Sequence, residues 1–381
     1  MKPLRVATVI HGYFPRVGGA ETQLRALVPH LQAQGIEMTI LTRRYDPKLP
    51  AFQKVDGISV YRLPAPGHKI VASLLFTITS FFRLLRLRPQ LIHAHEFISP
   101  ATVALLAERW MKNPIVVTSH RSGEIGDVQK MQRKKSGALR LEALRKQVSK
   151  FVVISDEIWD ELLGIGVDPE KLINITNGVD TERFTPPSAD KKLALRTQVK
   201  ITPDAQLVIF TGRLVPEKRL DLLISLWPAL REKHPKAELM IVGEGVEEAR
   251  LKAMAGEGIR FMGSTNDVLP FLQMADIFVL PSIAEGLSVA LLEAMSCGLA
   301  PLLTDVGGAR EVVHHQKNGW IVPPDDPDAL LVGLQTLFDD EKMLLKRGQA
   351  ARQRVVAEFS IQIAAKKLSN LYFTLAGRKE Q

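Results

Sequence analysis

The chain has 381 residues, 46 % of them hydrophobic and 24 % charged, with one cysteine and a formal net charge of +9. This length exceeds what one ordinary core supports and favours two domains, and the balance is that of a globular protein rather than a disordered or membrane-embedded one. The single Cys297 excludes an intramolecular disulfide and fits a reducing compartment, and the opening MKPLRVATVI reads as a buried strand rather than a signal peptide.

In chain order, residues 5–10 read as a strand and 11–19 as a glycine-bearing loop. Leu24, Leu27, Val28 and Leu31 then form one face of a helix closed by Gly35, with a kink expected at Pro29. Further strands are predicted at 37–41, 58–62, 91–94, 115–119 and 151–154. The longest uncharged apolar stretch, 70–82, is shorter than the about 20 residues needed to span a bilayer and is expected as a buried helix. Residues 184–204, with Pro186, Pro187 and Pro203, read as a linker. The second half repeats the scheme: strand 207–211, polar loop 212–219, helix 220–232, then strands 238–242, 259–262, 277–280 and 299–303. The alternation predicts an α/β protein with two doubly wound parallel sheets, their carboxyl ends facing across a cleft.

Three segments carry the chemistry. In PSIAEGLSVALLEAMSCG, 281–298, a helix is predicted from near Gly286. Glu285 then precedes a helix N-terminus where the N–H groups of Leu287, Ser288 and Val289 are expected to point outward, an end that binds phosphate well. Glu293 follows roughly 12 Å along if the segment is helical. Two carboxylates flanking an anion site fit a ligand with hydroxyls on either side of a diphosphate; the alternative is a capping Glu285 and a solvated Glu293. In TGRLVPEKR, 211–219, Arg213 offers a fork and Lys218 a point charge to phosphate oxygens, unless the loop is simply basic. In GYFPRVGGAE, 12–21, Gly18 and Gly19 let backbone approach a ligand. That loop is not G-x-G-x-x-G and no GKS or GKT occurs, which removes most support for dehydrogenase and NTPase readings. His120 ends a strand and is either catalytic or structural. Neither His93 with His95 nor His314 with His315 has a third ligand at metal spacing, and Asp326-Pro-Asp328 reads as a helix cap.

Together these segments resemble the family-4 group of retaining, GT-B-fold glycosyltransferases (glycosyl transferases group 1). The agreement keeps its order: PRVGGAE at 15–21, HAH at 93–95, VTSH at 117–120, VISD at 153–156, NGVD at 177–180, GRLVPEK at 212–218, VGEG at 242–245 and FMG at 261–263. EGLSVALLEAMSCGLAP, TDVGG and NGWIVPP complete it. The resemblance implies a GT-B fold with an acceptor-binding Rossmann-like domain at 1–185 and a nucleotide-sugar-binding one at 186–357. A last helix, about 358–378, would pack back on the first. It implies retaining transfer of a hexosyl group from a UDP- or GDP-sugar to a hydroxyl of a lipid-linked or polysaccharide/glycolipid acceptor, in cell-envelope or exopolysaccharide synthesis. No cofactor and no metal would be required.

By the same resemblance Arg213 and Lys218 would hold the diphosphate, helped by backbone at Gly18, Gly19, Gly286, Leu287 and Ser288. Glu285 would contact the donor sugar near the reacting carbon, beside the active-site histidine that His120 matches. Glu293 would take the ribose hydroxyls, and Met262 and Gly263 would line the base pocket. One departure is Arg121-Ser-Gly-Glu124 after His120, where the family commonly has Asp or a small residue. Alternatives are a soluble small-molecule acceptor, a non-hydrolysing nucleotide-sugar epimerase, or a nucleotide-sugar-binding module on the same fold.

Charge is uneven. Residues 1–180 hold 25 Lys+Arg against 16 Asp+Glu, a net of +9, while 181–381 hold 25 against 25. The excess is either a solvated surface or the mark of an anionic partner for the first half: not nucleic acid but a membrane surface, with a cytoplasmic enzyme peripheral on the inner face of the plasma membrane. Two segments are candidates for docking. One is 70–82, uncharged and bulky and continuing into Arg83, Arg86 and Arg88, unless it is simply a buried helix. The better one is 130–150, eight basic residues including Arg133, Lys134 and Lys135 against the single acid Glu142.

Overall fold

Near-continuous apolar runs such as LRVATV and IFVL suit strands buried on both faces. In the computed structural model, which describes residues 2–16, 18–123 and 126–378, they build two separate sheets. The chain divides into Met1–Asn177 with Ile361–Gln381, and Gly178–Ser360.

The first unit contains β1 (Leu4–Val9), α1 (Gly19–Ala33), β2 (Ile36–Arg44), β3 (Phe52–Val55), β4 (Ile58–Pro64), α2 (Lys69–Leu87) and β5 (Leu91–His95). α3 (Ser99–Met111), β6 (Ile115–Thr118), α4 (Asp127–Gln132), α5 (Gly137–Gln147), β7 (Lys150–Val153), α6 (Asp156–Gly164) and β8 (Leu172–Asn174) follow. The sheet order is β3-β4-β2-β1-β5-β6-β7-β8. Every pairing is parallel except the β3–β4 hairpin. The second unit contains α7 (Ala189–Gln198), β9 (Gln206–Thr211), α8 (Leu220–Lys233), β10 (Ala237–Val242), α9 (Glu248–Met254), β11 (Ile259–Gly263), α10 (Leu269–Met274) and β12 (Ile277–Leu280). It continues through α11 (Val289–Ser296), β13 (Ala300–Thr304), α12 (Ala309–Val312), β14 (Trp320–Val322), α13 (Pro327–Asp339) and α14 (Glu341–Glu358). Its sheet, β11-β10-β9-β12-β13-β14, is wholly parallel.

The last helix, α15 (Ile361–Leu375), returns to the first unit. Ile361, Ala364, Leu368 and Tyr372 share a core cluster with Leu24, Leu27, Val28 and Leu31 of α1. Residues 178–185 belong to the second unit, where sequence reading had placed the boundary at 185. The reason is local: the Phe184 carbonyl accepts from Ser296 Oγ at 2.7 Å and from Arg352 at 3.0 Å.

Pro29 lies inside α1, as read. Three expectations need correction. The stretch read as a linker carries α7, held by Arg196, whose buried guanidinium bonds the carbonyls of Met274 and Ala205 and the Asp276 carboxylate. β3, β8 and β14 escape sequence reading because β3 is an exposed, polar edge strand and the other two are only three residues long. Finally, the apolar stretch 70–82 is not buried. It extends into the 19-residue α2, which is long and apolar enough by composition to cross a membrane. Only Ala72, Phe76, Ser80 and Leu84 face the unit's interior. The predicted cap at Asp326 is as read, its Oδ1 accepting from Ala329 N at 2.9 Å.

Candidate active site

Parallel sheets present their loops at the strand carboxyl ends, and both units collect their polar residues there. In the first unit the loops after β1, β5 and β6 bring His11, Glu96, His95 and His120 together. His11 Nδ1 hydrogen-bonds Glu96 Oε2, and Glu96 N donates to Thr118 O at 3.0 Å. Burial alone would raise the Glu96 carboxyl, but the His11 bond, aided by His120 and Arg121, pulls it down to about 2. His95 stacks on His120, with Nδ1 and Nε2 2.8 Å apart. Burial drives His120 down to about 4 against the pull of Glu96, with Arg121 reinforcing it, and drives His95 well below its ordinary value. Both rings are therefore neutral at pH 7.

Among the described residues His95 Nε2 is buried without a partner. A buried lone pair is tolerated better than a buried unpaired N–H. His95 thus carries its proton on Nδ1 and donates to His120 Nε2, which leaves His120 with its own N–H at Nδ1. His93 serves the frame: it bonds the Tyr372 hydroxyl at 2.5 Å and Thr118 Oγ1 at 2.7 Å, locking α15 to β6. Behind them, Ser119 Oγ donates to Asp127 Oδ2 at 3.2 Å, and burial, then Glu96, raises that carboxyl to about 7. Gly18 caps α1 without a side chain. Among the described residues a Cβ placed on Gly19 would meet nothing within 4 Å, whereas one on Gly18 would fall 2.5 Å from Glu21 Oε2, so Gly19 is open to close approach and Gly18 is covered by that carboxylate. Val17 and Glu124, within the glycine loop and the departure after His120, lie outside the described residues.

In the second unit, loops from four strand ends interlock. Gly243 has φ +145 and a Cβ there would fall 1.8 Å from Gly212 O, so the loops after β9 and β10 pack backbone on backbone. At Gly307, φ +56, a Cβ would fall 2.4 Å from Gly286 O, and Gly308 N donates to the same oxygen at 2.9 Å. Within this frame Lys218 Nζ stands 2.5 Å from Glu285 Oε1, which also accepts from Ser282 Oγ at 2.6 Å. Arg213 is exposed and forms no ion pair among the described residues. Met262 and Gly263 end β11 half-buried, and Gly263 O accepts from Gly243 N at 2.8 Å.

The helix starts later than predicted. Ser288, not Gly286, is the N-cap, and its Oγ accepts from Leu291 N at 3.3 Å. Residues 285–288 are loop, so the helical spacing read from Glu285 to Glu293 does not hold. Both bland alternatives also fail. Glu285 does not cap the helix but pairs with Lys218, and Glu293 is 9 % exposed rather than solvated. Burial drives the Glu293 carboxyl up to about 7, with Arg183 opposing and Asp267 adding to it. Sequence reading missed His11, Glu96, Asp127 and Ser282. The only signal for the first two was a polar pair directly following strands, HG after β1 and HE at the end of β5.

Two doubly wound units, the first gathering imidazole and carboxylate groups at its strand ends and the second cationic and carboxylate groups, have the GT-B fold of glycosyltransferases. Residues 17–183 match the family described as Glycosyltransferase Family 4, and residues 191–354 that described as Glycosyl transferases group 1. The chain belongs to this family and is an enzyme that uses nucleotide-sugar donors. It is similar to a GDP-mannose-dependent monoacylated alpha-(1-6)-phosphatidylinositol monomannoside mannosyltransferase of Corynebacterium glutamicum, 27 % identical over 96 % of this chain and 97 % of that one. Its fold is similar to that of sucrose-phosphate synthase from Thermosynechococcus elongatus (TM-score 0.82, 22 % identity, 98 % and 99 % of the two chains). It is likewise similar to that of HepE from Anabaena, solved with UDP and glucose (TM-score 0.80, 18 % identity, 97 % and 100 %).

Proposed function

We propose that this chain transfers a hexosyl group from a UDP- or GDP-sugar to a hydroxyl of a lipid-linked or polysaccharide/glycolipid acceptor in cell-envelope or exopolysaccharide synthesis. The transfer proceeds with retention and without a metal ion, at the cytoplasmic face of the membrane. The observation that carries this reading is the Lys218–Glu285–Ser282 constellation at the approach to α11, with Arg213 exposed on the loop that bears Lys218.

In the reaction, the acceptor oxygen bonds to the anomeric carbon on the face from which the diphosphate departs. The carbon–oxygen bond to the β-phosphate breaks, and the acceptor proton passes to a leaving phosphate oxygen. Negative charge grows on that phosphate, and Arg213 and Lys218, helped by backbone at Leu287 and Ser288, would hold it. Fixed donors of this kind lower a barrier because they need no reorganisation. Lys218 is held in place beforehand by Glu285, whose carboxylate turns to the sugar when phosphate takes the ammonium. Backbone at Gly18 and Gly19 would help to hold the diphosphate. His120, neutral and with its proton on Nδ1, offers a hydrogen-bond donor to a sugar hydroxyl rather than a charge. Glu293 takes the ribose hydroxyls, and Met262 and Gly263 border the base.

The Corynebacterium relative supports the acceptor class, since its name joins a GDP-sugar to a phosphatidylinositol glycolipid; HepE, solved with UDP, supports the other donor base. The test is a panel of UDP- and GDP-hexoses incubated with lipid extract or oligosaccharide, with product linkage read by NMR and a parallel EDTA arm. An α-linked product from an α-linked donor, undiminished by EDTA, is expected. An inverted linkage or loss of rate with EDTA refutes the mechanism. Interconverted epimers of the donor would identify an epimerase, and donor binding without any turnover a binding module.

A further inference from the structure

We infer that the α2–α3 face of the first unit is an interfacial surface that lies on an anionic lipid leaflet. This deepens the proposed function, and rests on it only for the premise that the acceptor is at a membrane. α2 divides into two opposite i+4 rows. Ala72, Phe76, Ser80 and Leu84 pack inward, while Ile70, Leu74, Ile78 and Phe82 point outward and are all exposed, and the outer row continues into the exposed Arg86. The helix thus turns its bulkier aliphatic side chains to the outside and keeps two small residues, Ala72 and Ser80, within. On the neighbouring α3, Leu106 and Trp110 extend the apolar surface, with Trp110 74 % exposed and its ring edge-on to Phe81 at 6.5 Å.

The charge around this surface has one sign. No Asp or Glu occurs from residue 57 to 95. Lys69, Arg86, Arg88, Arg109 and Lys112 are exposed around the apolar row, and none forms an ion pair among the described residues. On α3 the single acid is the half-buried Glu108. Right-handed crossovers place α2, α3 and α5 on one side of the sheet, and Arg140 of α5 reaches Ile98 O and Thr102 Oγ1 of α3. The exposed Arg133, Lys134 and Lys135 precede α5 on that same side. α5 carries one acid, Glu142, paired with Lys146, and the acids of α6, Asp156, Glu157, Asp160 and Glu161, are on this side too but past α5 toward the β8 edge. An apolar row with a terminal tryptophan and a basic rim is the pattern of a helix lying in the plane of an anionic interface. Because its inner row packs on the unit, α2 lies on the membrane rather than spanning it. A second copy of the chain would set like-charged rims against each other, which disfavours self-association through this face.

The test uses the full chain with vesicles of phosphatidylcholine alone or mixed with phosphatidylglycerol. Co-sedimentation is expected with the mixed vesicles only, weakening about 5-fold for each basic residue removed. Ile78→Ser/Phe82→Ser should abolish it while leaving the melting temperature and transfer to a soluble acceptor analogue unchanged. Brominated lipid should quench tryptophan emission, and Trp110→Phe should lose that quenching. Binding that survives the Ile78/Phe82 substitutions but fails in Arg133→Glu/Lys134→Glu/Lys135→Glu would move docking off this face and overturn the inference. Indifference to both vesicle types, or a dimer in sedimentation that these substitutions dissolve, would also overturn it. Vesicle binding needs no turnover, so its failure is distinguishable from failure of the acceptor assay.

Discussion

Replacing Glu293 by Gln gives the sharpest check on the second unit. The carboxyl is 9 % exposed and burial carries its pKa from 4.5 to about 7. At about 1.4 kcal/mol per pH unit this difference is worth about 3 kcal/mol. Between those two values the folded protein keeps a proton that the unfolded chain has lost. Stability therefore falls as pH rises from 4.5, and the full cost is reached above about 7. Gln mimics the protonated acid and never ionises. Calorimetric melts of wild type and Glu293→Gln should nearly coincide at pH 5. At pH 8 the variant should melt higher by about 6–12 °C, taking about 2–4 °C per kcal/mol for a unit of this size. The ligand side has its own sign. If the ionised carboxylate accepts the ribose hydroxyls, donor binding expels the proton. Affinity for a nucleotide sugar, whose diphosphate does not titrate here, should tighten up to about tenfold per pH unit from pH 5.5 to 7 and then level off. The variant should bind more weakly with no such slope. A difference in melting temperature that is the same at pH 5 and pH 8 would refute the reasoning.

Arg213→Ala and Lys218→Ala should each lower turnover at subsaturating donor by about 10²–10³; wild-type initial rates in both would remove them from the site. Glu285→Gln breaks the pair with Lys218, so free nucleoside diphosphate should bind at least as tightly by calorimetry while turnover drops; weaker nucleotide binding would contradict this. The buried histidines make the first unit acid-labile. His120 and His93 are pushed down to about 4 and about 3, so below the ordinary 6.5 the unfolded chain takes up protons that the folded one refuses. The histidine contribution to stability should fall as pH drops from 6.5 to 4, opposed in the same unit by Asp127, whose carboxyl burial raises to about 7. His93→Gln, made in a background whose folding is checked by circular dichroism, should flatten that slope, and an unchanged slope would count against it.

Much was legible in the chain alone. Apolar β-branched runs and their spacing determine both parallel sheets, because strands covered by helices on both faces leave no other pattern. The motifs at strand ends likewise place Arg213, Lys218, Glu285 and His120, since a residue that closes a strand in such a sheet stands at the ligand end. Other features depend on partners distant in sequence. Periodicity reads 70–82 as an apolar helix without telling which row is covered; the small residues Ala72 and Ser80, pressed against the unit, decided that the bulky row is exposed. Sequence likewise leaves Glu285 and Glu293 as two acids on one segment. Only the tertiary structure gave one a lysine from 67 residues upstream and withdrew the other from water, because charge pairing and desolvation are set by distance in space and not along the chain.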